Sequence, residues 1–416
     1  MQAVGPQQVE AVLLDLAMGL TLECMVRNRD EARIDLSSKR KVAFICSGGA
    51  VKAAAFHVGV ALAMEHDGFV FEGGLADKNS ELGSVDPAKV IKTYVGSSAG
   101  TLLTTYLANG GNLSDILATF RADPTSQGIP GMKYWEMLSP RVRRPWDVMG
   151  WNTFLLKMLK GQILQSPFST EGIVRYLHQH ILETNSFSEL RADLYVVTTE
   201  VNRPRKVIFG KQKIASADPS YQYRNDVSIA DACAASMSLP PIYHPYSIQI
   251  EGKKRDFYDG EIWEPLSAHI GRDLGCDLVI CSYTHQPLRV PTNRSESVAD
   301  MGVESITLQA IYQAIEQKIR AARGTRRRER DIVEHIYKFF RANDLSNELC
   351  DKLIAEVEDR MIYKPHIDYI YIHPRPTDIE MFRAPHFSLN RKTTEEVVRK
   401  GYIAGRIAMR DLYLDP

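Results

Sequence analysis

The chain lacks a dominant charge, a dense cysteine framework and any long apolar run, and each absence narrows the reading. Lys+Arg and Asp+Glu both number 51, so no net field draws the molecule toward nucleic acid or an acidic surface. Any electrostatic partner must be met by a local patch. Cys24, Cys46, Cys233, Cys276, Cys281 and Cys350 are scattered without a C-x-x-C pair, which excludes a disulfide scaffold and reads as buried thiols in a reducing compartment. No apolar stretch reaches the length of a bilayer span. The Met-Gln-Ala-Val-Gly-Pro start has no basic region ahead of its first apolar stretch, and Asp15 interrupts that stretch, so no secretory signal is expected. A cytoplasmic protein results, one that at most lies on a membrane surface. Internal repeats and low-complexity tracts are also missing.

What is present is enough apolar content, 44%, for a substantial core over 416 residues. Residues 7–27 carry Val9, Val12, Leu13, Leu16 and Leu20 at helical spacing, and the charged segment to residue 40 reads as a connector. Val42-Ala43-Phe44-Ile45-Cys46 is short, continuous and followed by glycines, as a buried parallel strand should be, and a helix is predicted over Ala53 to Met64. The same grammar recurs at Val90–Gly96, where a strand runs into Ser97-Ser98-Ala99-Gly100 and an apolar helix through Leu107. Two such units point to an α/β sheet. Further strands are expected at Leu194–Thr199, Lys206–Phe209, Ile248–Ile250, Lys254–Phe257, Leu278–Ser282 and Ile367–Ile372, with helices at Ile229–Ser238, Ser305–Arg323 and Thr393–Leu412. Residues 41–416 are read as one α/β domain. Two segments interrupt its alternation: a cap-like insertion at about 125–165, rich in Pro, Gly and Trp, and a charged helical insertion at about 290–360.

Three motifs carry chemistry. Gly96-Ser97-Ser98-Ala99-Gly100 fits G-x-S-x-G, a strand-to-helix turn so sharp that only small residues flank the serine. A plain βα turn has the same composition, and the strand before and helix after are what favour a nucleophile at Ser98. One strand earlier, Ser47-Gly48-Gly49-Ala50-Val51-Lys52 offers consecutive backbone N–H groups with little side-chain bulk, an arrangement that suits an anion. The chain contains neither G-x-x-x-x-G-K-[ST] nor G-x-G-x-x-G, which argues against a phosphate cradle. The third motif is Asp259-Gly260, after the hairpin around Ile248–Phe257; alone it reads as a turn. A serine nucleophile needs a base, and none of the eleven histidines has a partner signature. His57 and His269 read as structural, and His244, His285 and His373 fall in loops or at strand ends.

In that order the motifs resemble the patatin-like phospholipase family over about residues 40–285. Ser47 to Val60 looks like its Gly-rich stretch, Gly96–Gly100 matches its G-x-S-x-G box, and Ala234 to Pro240 is similar to its Ala-Ser-x-x-x-Pro block. Asp259-Gly260 with Pro265 resembles its D-G-[GA] box, and Gly275 to Ile280 its next strand entry. The resemblance implies a three-layer α/β/α fold with a central, mainly parallel sheet. It also implies a Ser98–Asp259 dyad, an oxyanion hole from the backbone of Gly48, Gly49 and Ala50, and hydrolysis of phospholipid or other acyl-lipid esters through an acyl-serine, with no metal and no cofactor. Three residues depart from the pattern. Ala50 replaces the third glycine, tolerable if its backbone does not need positive φ. Lys52 stands where arginine is commoner and keeps only the charge. Glu261 replaces a small residue and puts a second carboxylate near Asp259, which would raise its pKa.

Two alternatives stay open: an acyltransferase of related fold, which normally has a histidine near its serine, and a catalytically silent lipid-binding protein on the same scaffold. Arg141, Arg143 and Arg144 followed by Trp146, Trp151, Phe154 and Leu155 fit either an interfacial helix over 141–160 or a core helix with a basic face. The Arg320–Arg330 run, interspersed with Glu316, Glu329 and Asp331, reads as an exposed helix face with internal pairs. It lacks the interleaved aromatics of a single-stranded nucleic-acid site.

Overall fold

The computed structural model describes residues 34–77, 85–121, 128–140, 166–214, 218–291, 297–358 and 360–410. The expected N-terminal helix, the 141–160 segment and most of the cap-like stretch lie outside the described residues.

A ten-stranded sheet organises the chain. Its strands are β1 (Val42–Cys46), β2 (Val70–Phe71), β3 (Val90–Ser97), β4 (Asp193–Glu200), β5 (Arg205–Gly210), β6 (Tyr221–Arg224), β7 (Tyr246–Ile250), β8 (Lys253–Asp259), β9 (Leu278–Ser282) and β10 (Asp368–Ile372). The main path runs β10-β9-β1-β3-β4-β8-β7, with β2 beside β3 and β5 between β4 and β6. From β10 through β4 every pair is parallel, and β8 and β7 close that path antiparallel. The principal helices are α1 (Ala50–His66), α2 (Gly100–Ala108), α3 (Ile229–Ser236), α4 (Val303–Ala342), α5 (Asn347–Glu358) and α6 (Arg391–Arg410).

The two-residue period of a strand separates two cores. In β1, Phe44 and Cys46 join a cluster with Phe56, Leu103, Ile229 and Val397 from α1, α2, α3 and α6. Ala43 and Ile45 face the other way, into a cluster with Ile270, Ile319 of α4 and Tyr369. The sheet is therefore covered on both faces, the three-layer α/β/α architecture expected, and its central strands need no polar side.

Helix α1 is apolar nearly all round because it is buried nearly all round. It packs on α6 at glycine crossings: a Cβ at Gly59 would sit 2.0 Å from Val398 O, and one at Gly401 2.1 Å from Phe56 O. Such close backbone approach fixes α1, and with it the turn at its head.

The largest difference from the expected elements lies in α4, which continues from Val303 to Ala342 instead of stopping near Arg323. Gly324 and the arginines after it interrupt the apolar pattern, but the stripe resumes at Val333 and Phe340, which pack on Cys350 and Ile354 of α5. Arg326 also departs from the exposed face expected of that run: it is 9% exposed and its guanidinium lies 4.1 Å from the Tyr369 ring centroid. Stacking on aromatic faces accounts for its burial. Arg320 keeps the expected pair, 2.7 Å from Glu316. Among the described residues no helix is long and apolar enough to cross a membrane, and Cys46, Cys233, Cys276, Cys281 and Cys350 are buried thiols outside any disulfide.

Candidate active site

Two βα turns open at the same edge of the sheet. The first follows β1: Gly49 takes φ 129° and Ala50, the first residue of α1, φ 56°. The condition under which alanine would be tolerated without strain is therefore not met, and the residue holds a left-handed conformation that costs roughly 1–2 kcal/mol for an L side chain. The second turn follows β3, where Ser98 has φ 50°, the strained elbow geometry its motif anticipates. The flanking glycines are sterically required: a Cβ at Gly96 would come within 2.7 Å of Thr101 Cα, and one at Gly100 within 2.3 Å of Cys46 O.

The elbow is pinned on all sides. The Ser98 N–H donates to Ser236 Oγ at 2.8 Å, and that hydroxyl donates to Val197 O at 2.5 Å, tying α3, β3 and β4 together. Ser98 O accepts from Thr101 N at 3.0 Å and from Thr101 Oγ1 at 2.6 Å. Ser236 lies in the Ala234–Pro240 block that the sequence singles out, but its task at the elbow is visible only in three dimensions.

Asp259 reaches Ser98 through the register of β4. Ser97 pairs with Val197, and Asp259 pairs with the next residue, Thr198, so the ends of β3 and β8 meet on one edge of β4. Ser98 is 7% exposed and Asp259 2%. Burial pushes the Asp259 carboxyl up to about 7; the side-chain hydrogen bond with Ser98 opposes the rise and the Glu261 charge adds to it. A carboxyl held there titrates where a general base is most useful.

The glycine loop lies alongside. A Cβ at Gly48 would be 2.8 Å from Ser98 Cβ and 3.4 Å from Ser98 Oγ, so only glycine fits beside the serine. The N–H groups of Gly49 and Ala50 close no hydrogen bond among the described residues and stand at the positive end of α1. Gly48, Gly49, Ala50, Ser98 and Asp259 are thus brought together.

The other singled-out residues divide. His57 is structural as read: its ring nitrogens lie 2.7 Å from Ser282 Oγ and 2.9 Å from Ser47 O. His285 packs behind the loop, its Nε2 3.5 Å from where a Gly49 Cβ would stand. His269 sits 3.4 Å from Glu264 Oε2. Lys52 turns away from Ser98 toward Phe382 O, 3.2 Å, and the Tyr312 hydroxyl, 3.4 Å. Burial lowers its pKa to about 7, so the charge it was expected to keep is only partly present at neutral pH.

Lys206 is a residue the sequence does not flag. It is fully buried in β5, donates to Ser267 Oγ at 2.7 Å and Glu264 O at 3.0 Å, and so ties down the segment after Asp259-Gly260. A lysine inside a strand of apolar residues carries no sequence signal of such a role. Among the described residues no cluster of His, Cys, Asp and Glu could hold a metal ion.

No curated protein matches the chain. The model of the patatin-like phospholipases matches residues 44–270, which span the glycine loop, the serine elbow and the Asp-Gly turn, and the chain belongs to that family.

Proposed function

We propose that the chain is a lipid acyl hydrolase of the phospholipase A or lysophospholipase type, with Ser98 as nucleophile and Asp259 as its base. Membership of the family points to lipid acyl hydrolase activity. The two named roles rest on one observation, the β4 register that sets Asp259 next to the elbow strand.

In the proposed cycle Ser98 Oγ attacks the acyl carbonyl and its proton passes to Asp259. The oxyanion forms against the amides of Gly48, Gly49 and Ala50. Collapse expels the alcohol, which takes the proton from Asp259, and leaves an acyl-serine. Water then attacks, Asp259 accepts its proton, and the fatty acid departs as Ser98 is regenerated. No histidine is needed, and both ring nitrogens of His57 are already engaged. Lipid contact through residues 141–160, and the reading of 290–360 as an insertion into one domain, belong to the same proposal.

Mass spectrometry of products from a mixed phospholipid and glyceride panel tests it. Fatty acid should appear with the wild type and fall by about 10³-fold or more in Ser98→Ala and Asp259→Asn, as for removal of a nucleophile or its base. Unchanged release by Ser98→Ala would remove the serine from the mechanism.

A further inference from the structure

Glu261 stands where a side chain should be an obstacle. It follows Asp259-Gly260, and its backbone N–H donates to Asp259 Oδ1 at 2.9 Å, which turns the side chain back toward the glycine loop. A Cβ at Gly48 would lie 2.8 Å from Glu261 Cγ as well as 2.8 Å from Ser98 Cβ, so the glutamate stem and the serine flank the same glycine. The Gly48 N–H and the Ser97 hydroxyl hold its pKa down from nearby, although the Ser97 hydroxyl closes no hydrogen bond, and Oε2 accepts from Leu266 N at 3.3 Å. Oε1 is buried without a well-formed hydrogen bond. A carboxylate therefore rests beside the amide that an oxyanion would use.

We propose that Glu261 is a built-in stopper of the glycine loop, its carboxylate occupying the Gly48 amide beside Ser98 so that turnover requires it to swing away or take a proton. The inference rests on the Ser98 hydrolase reading. Two like charges cannot share one donor, and an anion there opposes the charge that develops on the substrate oxygen. The groups that set its state come from each neighbouring element. Asp259 at the end of β8 repels it, Lys206 of β5 attracts it, and the glycine loop and the β3 end supply the Gly48 amide and the Ser97 hydroxyl. Burial is the largest influence and raises its pKa, so the protonated, permissive form gains population as pH falls.

The rate at which a fluorophosphonate probe labels Ser98 reads the stopper directly, because the phosphoryl oxygen must enter the same hole. Labelling is compared in full-length wild type, Glu261→Ala and Glu261→Gln from mildly acid to mildly alkaline pH. Because the Glu261 charge raises the Asp259 pKa, removing it also shifts the base, so the comparison is read at alkaline pH, where Asp259 is ionised in wild type and variants alike. There the Glu261→Ala ratio should exceed about tenfold, within the 10²–10³ that one oxyanion donor is worth, whereas the shifted base alone leaves it near one. Glu261→Gln keeps the bulk without the charge and should give a smaller ratio with the same direction, which also serves if Glu261→Ala fails to fold. Ratios at or below one at alkaline pH overturn the stopper and leave the hydrolase reading intact. Absence of labelling in folded wild type and both variants overturns the hydrolase reading, and the stopper with it.

Discussion

The two turns at the sheet edge follow one plan and are finished differently. Each leaves a buried strand, places a residue at positive φ and starts a helix: Ala50 at 56° after β1, Ser98 at 50° after β3. At the serine turn both backbone polar groups are satisfied, the N–H by Ser236 and the C=O by Thr101. At the glycine turn the N–H groups of Gly49 and Ala50 close no hydrogen bond among the described residues, and a carboxylate bears on that of Gly48. Gly49 and Ala50 are half-buried, and amides left open at the head of a helix in one turn and closed in the other are what the proposed oxyanion hole calls for. A nucleophile has to be held still, whereas an oxyanion hole has to stay empty until charge arrives.

Filling the gap between the turns breaks the comparison most severely. Gly48→Ala puts a methyl 2.8 Å from both Ser98 Cβ and Glu261 Cγ; the glutamate can rotate aside, but Ser98 Cβ cannot yield without moving the elbow. Fluorophosphonate labelling should fall by about 10²-fold or more, the scale of a misplaced reacting group. Labelling at the wild-type rate would show that the loop can shift away from Ser98.

Releasing the pinned turn comes next. Ser236→Ala removes the acceptor of the Ser98 N–H and the donor to Val197 O, leaving two buried backbone groups unpaired. The expected loss is roughly 2 kcal/mol of stability with about a tenfold drop in turnover at unchanged KM, because Ser236 holds the Ser98 N–H and is itself fully buried. Chemical denaturation and steady-state kinetics measure the two parts. A rise in KM with constant kcat would instead place Ser236 in substrate binding.

Much of this edge was legible in the chain. The strand Val42–Cys46, five apolar residues against a glycine stop, is found with those bounds, and Leu278–Ser282 likewise. The serine elbow followed from small residues between a strand and a helix. Proximity came only with the family resemblance, because Ser98 and Asp259 are neighbours through the β4 register, which local sequence does not encode. Ser236 was visible within a block yet silent about its bonds. Lys206 gave no sign at all, since a buried amine is distinguished from an exposed one by its partners and not by its flanks. Glu261 was flagged as a second charge near Asp259; its reach to Gly48 depends on a side-chain direction that only the fold supplies. In α4 the glycine and arginines concealed a stripe that resumes one turn beyond them.

The smallest effect sharpens the comparison from the open side. Ala50 holds φ 56° with a methyl, where a glycine would adopt it freely. Ala50→Gly should relieve strain of roughly 1–2 kcal/mol while adding about 0.4–1 kcal/mol of unfolded-state freedom, a net gain of about 0.5 kcal/mol. The substitution adds no atom to the site and removes no donor, so labelling of Ser98 should change by less than about twofold. Equilibrium denaturation resolves the sign. Destabilisation would mean that the Ala50 methyl stiffens the head of α1 by more than its own strain, and the loop would then be open because it is rigid rather than in spite of being strained.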